Sequence, residues 1–343
     1  MRLSEALDLG RHEVVAFVGA GGKTAALYHL ADDLRQQGQT VVATTTTHMW
    51  PPPPQAGWPL VLGAQGADRL GSISEAVERA GRAFVAAAAG ADGRLMGIAP
   101  GEVESLAALA DHVLVEADGA RGRWLKAPAA HEPAIPAAAT VVVPVVGLGA
   151  LGEPLGSDVV HRPELLAGLL QLPPDARISE DALARLLLHP DGGLRNVPSG
   201  ARPVPLCNQT DTPERRAAGR RVAAAVLRAG GRIARVVVGA MQGEPGACEC
   251  WQPSAVVVLA AGGSRRYGRP KQAERWQGQT FLARAVTVAL SSLASEVLVV
   301  LGCGAEQLAP LLPARTSPRL RHVVNAGWEE GVASSVRAGL EAL

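Results

Sequence analysis

A short apolar run at residues 14–18 closes on the glycines of FVGAGGKT, residues 17–24. A run of this kind, ended by glycine, predicts a buried parallel strand. Leu27, Leu30, Ala31 and Leu34 then recur at helical spacing, and Gly38 stands where a helix over 24–37 would stop. A second apolar run covers 40–44. Strand, helix and strand in that order predict an α/β fold with a parallel sheet. Further strands are expected at 83–87, 113–116, 141–146, 204–207 and 235–238, and helices at 74–80, 103–109, 163–170, 180–188 and 213–228. The four prolines at 51–54 must be extended and at the surface. Residues 189–203, rich in Pro, Gly and Asp, are expected to form a loop.

Periodicity lapses over GEPGACECWQP, residues 243–253, and then restarts. Strands at 255–260, 296–301 and 321–324 alternate with helices at 281–290 and 333–343, and a polar glycine-containing loop lies at 262–271. The expected division is a first α/β domain over 1–245, a linker over 246–254 and a second, Rossmann-like α/β domain over 255–343. A length of 343 residues suits two domains.

Composition narrows the function classes. Apolar residues make up 48% but aromatics only 3%, so Ala, Val and Leu must build the core. A formal charge of +1 gives no electrostatic basis for binding nucleic acid or an anionic membrane. No run is long enough for a membrane span. Cys207, Cys248, Cys250 and Cys303 are too scattered for a disulfide framework, and a cytoplasmic location is expected. Cys248-x-Cys250 alone makes a poor metal site. Of the 33 Lys and Arg residues only three are lysine: Lys23, Lys126 and Lys271. Arginine's planar fork does not replace a compact ammonium at a tight site. All three lysines fall in segments singled out on other grounds.

FVGAGGKT joins a strand to a helix, as a phosphate-binding loop must. Gly19, Gly21 and Gly22 would turn backbone amides toward an anion, Lys23 would reach the β/γ-phosphates, and Thr24 would offer a hydroxyl to Mg²⁺. The common pattern GxxxxGK[ST] is altered, with Phe17 at the first glycine position. Four threonines, 44–47, end the second strand, where a ligand crevice is expected, and Thr45 is a candidate Mg²⁺ ligand. VLVEADG ends a strand in Glu116 and Asp118, candidates for holding Mg²⁺ and for catalysis with Lys23. In CNQTD, Asn208 and Asp211 have the spacing of a guanine-reading motif, although Gln209 stands where that motif has lysine. An ordinary Asx turn gives the same spacing. ATP or GTP is therefore the expected ligand. LKAPAAHEP places Lys126, His131 and Glu132 within seven residues, as a grip for an anionic substrate or as a loop salt bridge.

FVGAGGKT, VVATTTTHMWPP, LVEADGARGRWLKAPAAHEP, SDVVHRPE and CNQTD together resemble the YqeC family over about residues 10–245. The resemblance implies a P-loop NTPase-like domain and an accessory role for selenium-dependent molybdenum hydroxylases. LAAGGSRRYGRPK, residues 259–271, resembles the nucleotidyltransferase signature LAAGxSxRxGxPK, and NAGWEEGVASS, residues 325–335, is similar to the same group. The relatives implied are MocA- or MobA-type enzymes, the former joining CMP to the molybdenum cofactor. On that resemblance Ala261, Gly262, Gly263, Arg266 and Lys271 would wrap a nucleotide triphosphate, with CTP as the expected ligand. The acidic strand such enzymes place further on is not found before Leu343, so an incomplete transferase domain with little activity of its own is expected.

Three functions follow. The first is an NTP-dependent maturation factor for a molybdenum hydroxylase or its cofactor. The second is a molybdopterin nucleotidyltransferase. The third is a non-catalytic, nucleotide-switched scaffold that hands cofactor to a client hydroxylase.

Overall fold

A computed structural model describes residues 1–63, 66–173, 175–242, 248–292, 294–313 and 317–343. The chain divides into two units, Met1–Gln252 and Pro253–Leu343.

The larger unit is built on β1, Glu13–Gly19, whose EVVAFVG run is buried on both faces. Val15 and Phe17 face one apolar layer, and Val14, Ala16 and Val18 the other. In chain order the remaining principal strands are β2 (Val41–Thr45), β3 (Leu60–Leu62), β4 (Arg82–Ala86), β5 (His112–Glu116), β6 (Val141–Gly147), β7 (Leu206–Asn208), β8 (Val236–Val238) and β9 (Glu249–Trp251). They lie in the order β9-β8-β7-β6-β1-β5-β2-β4-β3. Every pairing along this path is parallel except β8 with β9. The chain runs outward from β1 on one side and returns on the other at β6, which opens a crevice at the carboxyl ends of the strands.

Helices cover both faces. Helix α1 (Leu3–Ala6) and α2 (Lys23–Gln36) pack on the Phe17 side through Leu3, Leu27, Leu30 and Leu34. Helix α3 (Ala67–Ala80) and α4 (Val103–Leu106) bury Ile73, Val77, Val103 and Leu106 on the Val14 side. Helices α5 (Pro163–Leu170), α6 (Glu180–Leu188) and α7 (Pro213–Ala229) enclose a third cluster around Leu148, Cys207 and Val236. Thr212 caps α7 by accepting from the Arg215 N–H, with Pro213 at the first helical position.

In the smaller unit β10 (Ala255–Ala260), β11 (Glu296–Leu301) and β12 (Leu320–Val324) form a parallel sheet in chain order. Helix α8 (Phe281–Ser291), α9 (Ala305–Leu308) and α10 (Val332–Glu341) accompany it. Leu282, Val286, Val299, Leu301 and Leu308 form its core.

Three expectations are corrected. The segment assigned to a linker contains β9, which adds antiparallel to β8 and so belongs to the first unit. Residues 243–247, which include the first two of that segment, lie outside the described residues. Helix α3 starts at Ala67 rather than near residue 74, and α4 stops at Leu106 after a 3₁₀ turn at Pro100–Glu102.

Phe17 is fully buried among α2 and β-strand side chains, which explains an aromatic where the common loop pattern has glycine. Phe17→Gly should cost about 4 kcal/mol or more and Phe17→Leu about 1–2 kcal/mol. Denaturant midpoints check this, and equal midpoints for the two variants would contradict the burial.

Candidate functional site

The FVGAGGKT loop leaves the carboxyl end of β1 beside β5 and β6. Glu116 lies in register with Phe17 on one side and with Thr45 on the other. Gly19, Gly21 and Gly22 have φ of +88°, +86° and +111°, a region that favours glycine. Contact also demands it. A Cβ would lie 2.5 Å from Val145 O at Gly19, 2.3 Å from Gly147 N at Gly21 and 2.3 Å from Asn208 Nδ2 at Gly22.

The glycines let the loop press against its own scaffold. Gly19 N–H donates to Asp118 Oδ2 at 3.0 Å, Ala20 N–H to Val145 O at 3.0 Å and Gly21 N–H to Arg123 O at 3.0 Å. These amides therefore point into the protein, unlike the glycine-amide cradle expected at Gly19 and Gly21. Among the described residues, the N–H groups of Gly22, Lys23 and Thr24 have no protein acceptor. They form the open N-terminus of α2, a place where anions are favoured.

Lys23 is 4% exposed; its Nζ donates to Gly19 O at 2.7 Å and lies 3.2 Å from Asp118 Oδ1. Lys126 approaches the same carboxylate, 3.0 Å from Oδ2, and also donates to Gly119 O at 2.6 Å. It further pairs with Glu132 Oε2 at 3.0 Å, and Arg162 donates to that oxygen at 2.6 Å. Asp118 Oδ1 is ion-paired yet accepts no hydrogen bond.

The carboxylates differ in character. Burial pushes Glu116 above the usual range, against the opposing pull of the Lys23 ammonium and the Thr24 hydroxyl, which donates to Oε2 at 2.7 Å. Burial would raise Glu132 too. There the Arg162 guanidinium, the Lys126 ammonium and the Ala129 N–H prevail and hold it at about 2.

Glu116, Lys23 and Thr24 line a cleft of about 1060 Å³ together with Thr47, Arg121, Arg123, Glu132, His161, Arg162 and Gln209. Several expected site residues are placed elsewhere. The Thr45 hydroxyl is fully buried, donates to Glu116 O at 2.9 Å and accepts from Thr47 N at 3.1 Å, so it is not presented to a metal. His131 is exposed and does not line the cleft. The histidine that does is His161, brought opposite Lys126 by the pairing of Leu125–Lys126 with Val160–His161. Asn208 is committed internally: Nδ2 donates to Gly21 O at 2.8 Å and Oδ1 accepts from Met241 N at 3.0 Å. Asp211 is exposed and outside the cleft, so the guanine-reading arrangement is not assembled. Gln209 reaches the cleft instead and accepts from Gly149 N at 3.2 Å.

Arg121, Arg123, His161 and Arg162 were not singled out from sequence. The signal available was two arginines directly after EADG, and HR within SDVVHRPE.

In the smaller unit a cleft of about 390 Å³ is lined by Ala261, Gly262, Gly263, Arg265, Lys271 and Trp328, among others. Gln272 Nε2 donates to Ala260 O at 3.0 Å and Gly262 O at 2.8 Å, which fixes the loop. Arg265 rather than the expected Arg266 faces this cleft; Arg266 is exposed outside it.

Comparison with known proteins gives two family matches. Residues 15–164 match the YqeC protein family and residues 256–343 the MobA-like NTP transferase domain. The chain is 37% identical over 209 residues to the uncharacterized protein YqeC of Escherichia coli (strain K12), covering 59% of this chain and 79% of that protein. It is 39% identical over 84 residues to the nicotine blue oxidoreductase of Paenarthrobacter nicotinovorans, covering 24% of this chain and 40% of that protein. The chain thus spans less than half of the oxidoreductase. The chain belongs to the YqeC family.

The raised Glu116 carboxyl has a measurable consequence. Its folded-state value lies above the unfolded one, so the ionised form at neutral pH opposes folding. Glu116→Gln keeps a partner for Thr24 and removes the charge. The variant should unfold at a higher denaturant concentration than the parent at pH 7. The difference should shrink as the pH falls toward 4.5 and be gone well below it, where the carboxyl is protonated in both states. A lower midpoint for the variant at pH 7 would contradict this.

Proposed function

We propose that this YqeC-family chain is a nucleotide-binding accessory factor in the maturation of a molybdenum hydroxylase, including a selenium-dependent one, or of its cofactor. Its larger unit binds ATP or GTP with Mg²⁺ and hydrolyses it. The observation that carries the reading is the conjunction of a buried lysine, three unengaged amides at a helix N-terminus and a large cleft at the strands' carboxyl ends.

Lys23 supplies a positive charge at the mouth of α2, and the Gly22, Lys23 and Thr24 amides supply donors for phosphate oxygens. Thr24 and Glu116 offer hard oxygen donors 2.7 Å apart. Their chemistry fits Mg²⁺, which takes one or two protein oxygens and fills its shell with phosphate and water. Mg²⁺ when bound neutralises charge that develops on the phosphates. A cation there would also relieve the cost of burying Glu116. Asp118 keeps Lys23 and Lys126 in place and is a positioning group rather than a base.

A second reading concerns the smaller unit. The MobA-like match and the cleft lined by Gly262, Gly263 and Lys271 favour binding of a nucleoside triphosphate such as CTP there, with molybdopterin as acceptor. The named oxidoreductase relative adds no further chemistry to this reading.

Lys23→Ala should weaken Mg²⁺–ATP or Mg²⁺–GTP binding by about 100-fold, roughly 2.7 kcal/mol. Titration calorimetry on the full chain checks this. Unchanged affinity in the variant would remove the basis for placing the nucleotide at α2.

A further inference from the structure

The nucleotide cradle uses only part of the cleft's lining. The lining also carries cationic side chains that the proposed nucleotide site does not employ. Arg121 and Arg123 both line the cleft, and among the described residues neither guanidinium makes a hydrogen bond or ion pair. Arg162 lines it too, with one terminal nitrogen, Nη1, spent on Glu132 and Ala127 O. Lys126 is shared with Asp118, so Glu132 is left to offset Arg162, and the positive surplus here comes from Arg121 and Arg123. Arg94 differs, because Asp92 pairs with it at 2.9 Å.

The backbone presents these groups deliberately. Arg121 and Arg162 have φ of +50° and +67°, left-handed conformations that disfavour a non-glycine residue. Both lie beside the acceptor and donor that fix the wall. Arg123 N–H donates to Ala120 O at 3.0 Å to close the turn, and Arg123 O accepts from Gly21 to clamp that turn to the phosphate loop. Arg162 precedes Pro163 at the start of α5. His161 sits between them in charge as in sequence: burial, followed by the Arg162, Lys126 and Arg121 charges, holds its imidazole below the usual range. Among the described residues, two unpaired arginines and a third engaged only through Nη1, beside a neutral imidazole, form a receptor for an oxyanion with several oxygens. At about 1060 Å³ the cleft also exceeds what one small ligand ordinarily fills.

We propose that Arg121, Arg123, His161 and Arg162 form a second subsite that binds the phosphate of a small-molecule phosphate monoester beside the nucleotide. This rests on the nucleotide reading for the word "second" but not for the existence of the subsite. The nucleotide's own phosphates are held by Lys23 and the α2 amides. The arginine wall receives the anionic group of a co-substrate.

Phenyl phosphate is the probe, with phenol as its uncharged control. The full chain is first saturated with Mg²⁺ and the non-hydrolysable AMP-PNP, then titrated with probe by calorimetry. Saturable binding of phenyl phosphate and none of phenol is expected. Arg121→Ala with Arg123→Ala should weaken the probe by about tenfold or more while AMP-PNP affinity stays within about twofold. Among the described residues both side chains lack partners, so the double variant should fold, and its unfolding midpoint checks that. Absence of probe binding in the parent overturns the proposal, and so does unchanged probe affinity in the double variant. Parallel loss of probe and AMP-PNP affinity, with each displacing the other, also overturns it by assigning the arginines to the nucleotide. If AMP-PNP fails to bind at all, the nucleotide reading falls. The same titration on nucleotide-free protein then still decides the arginine subsite, with Lys23→Ala expected to leave probe affinity unaltered.

Discussion

The Asp118 carboxylate organises the larger unit's cleft. It is 2% exposed and lies between two ammonium groups, Lys23 at 3.2 Å and Lys126 at 3.0 Å, while accepting from Gly19 N–H. A buried charge is tolerable only when paired and hydrogen-bonded, and removing one partner of such a set leaves the others stranded. The phosphate loop, the turn after β5 and the 125–126 strand are therefore fixed by one side chain. That constraint also accounts for lysine in a chain so biased toward arginine: a compact ammonium and a planar guanidinium are not interchangeable at a tight, buried site. Both lysines of the larger unit meet there.

Around this centre two glutamates take opposite parts. Glu132 is held at about 2 by Arg162 and Lys126 despite its burial, so it is a fixed anion that anchors the basic wall. Glu116 is raised by burial and stays hydrogen-bonded to Thr24, so it gains most from a cation arriving beside it. Environments that drive like groups apart divide structural duty from ligand-binding duty. The same division separates the amides: those of Gly19 and Gly21 hold the loop, and those of Gly22 to Thr24 remain open.

Much of this was legible in the sequence. Continuous apolar runs ending in glycine gave the strands flanking the site, because strands buried on both faces need no alternation. The strand at Ala255–Ala260 and that at Glu296–Leu301 fall where the runs predict. What escaped was set by distant pairing. Glu249–Trp251 is a strand only because β8 offers its edge. His161, not His131, reaches the cleft because a two-residue ladder joins Leu125–Lys126 to Val160–His161, across a sequence gap that no local pattern reports. Thr45 looked available at a strand end, but the register that sets it beside Glu116 also uses up its hydroxyl. The glycines were recognised as necessary for an anion loop. The clashes a Cβ would make there show that the scaffold at Val145, Gly147 and Asn208, as much as any ligand, requires glycine.

The most direct test is a crystal structure of the chain with Mg²⁺ and AMP-PNP. The result expected is a polyphosphate on the Gly22, Lys23 and Thr24 amides, with the Lys23 ammonium in contact with it and Asp118 still bound to Lys126 and to Gly19 N–H. A nucleotide seated elsewhere in the larger unit, with Lys23 still donating to Gly19 O and the start of α2 empty, would contradict it.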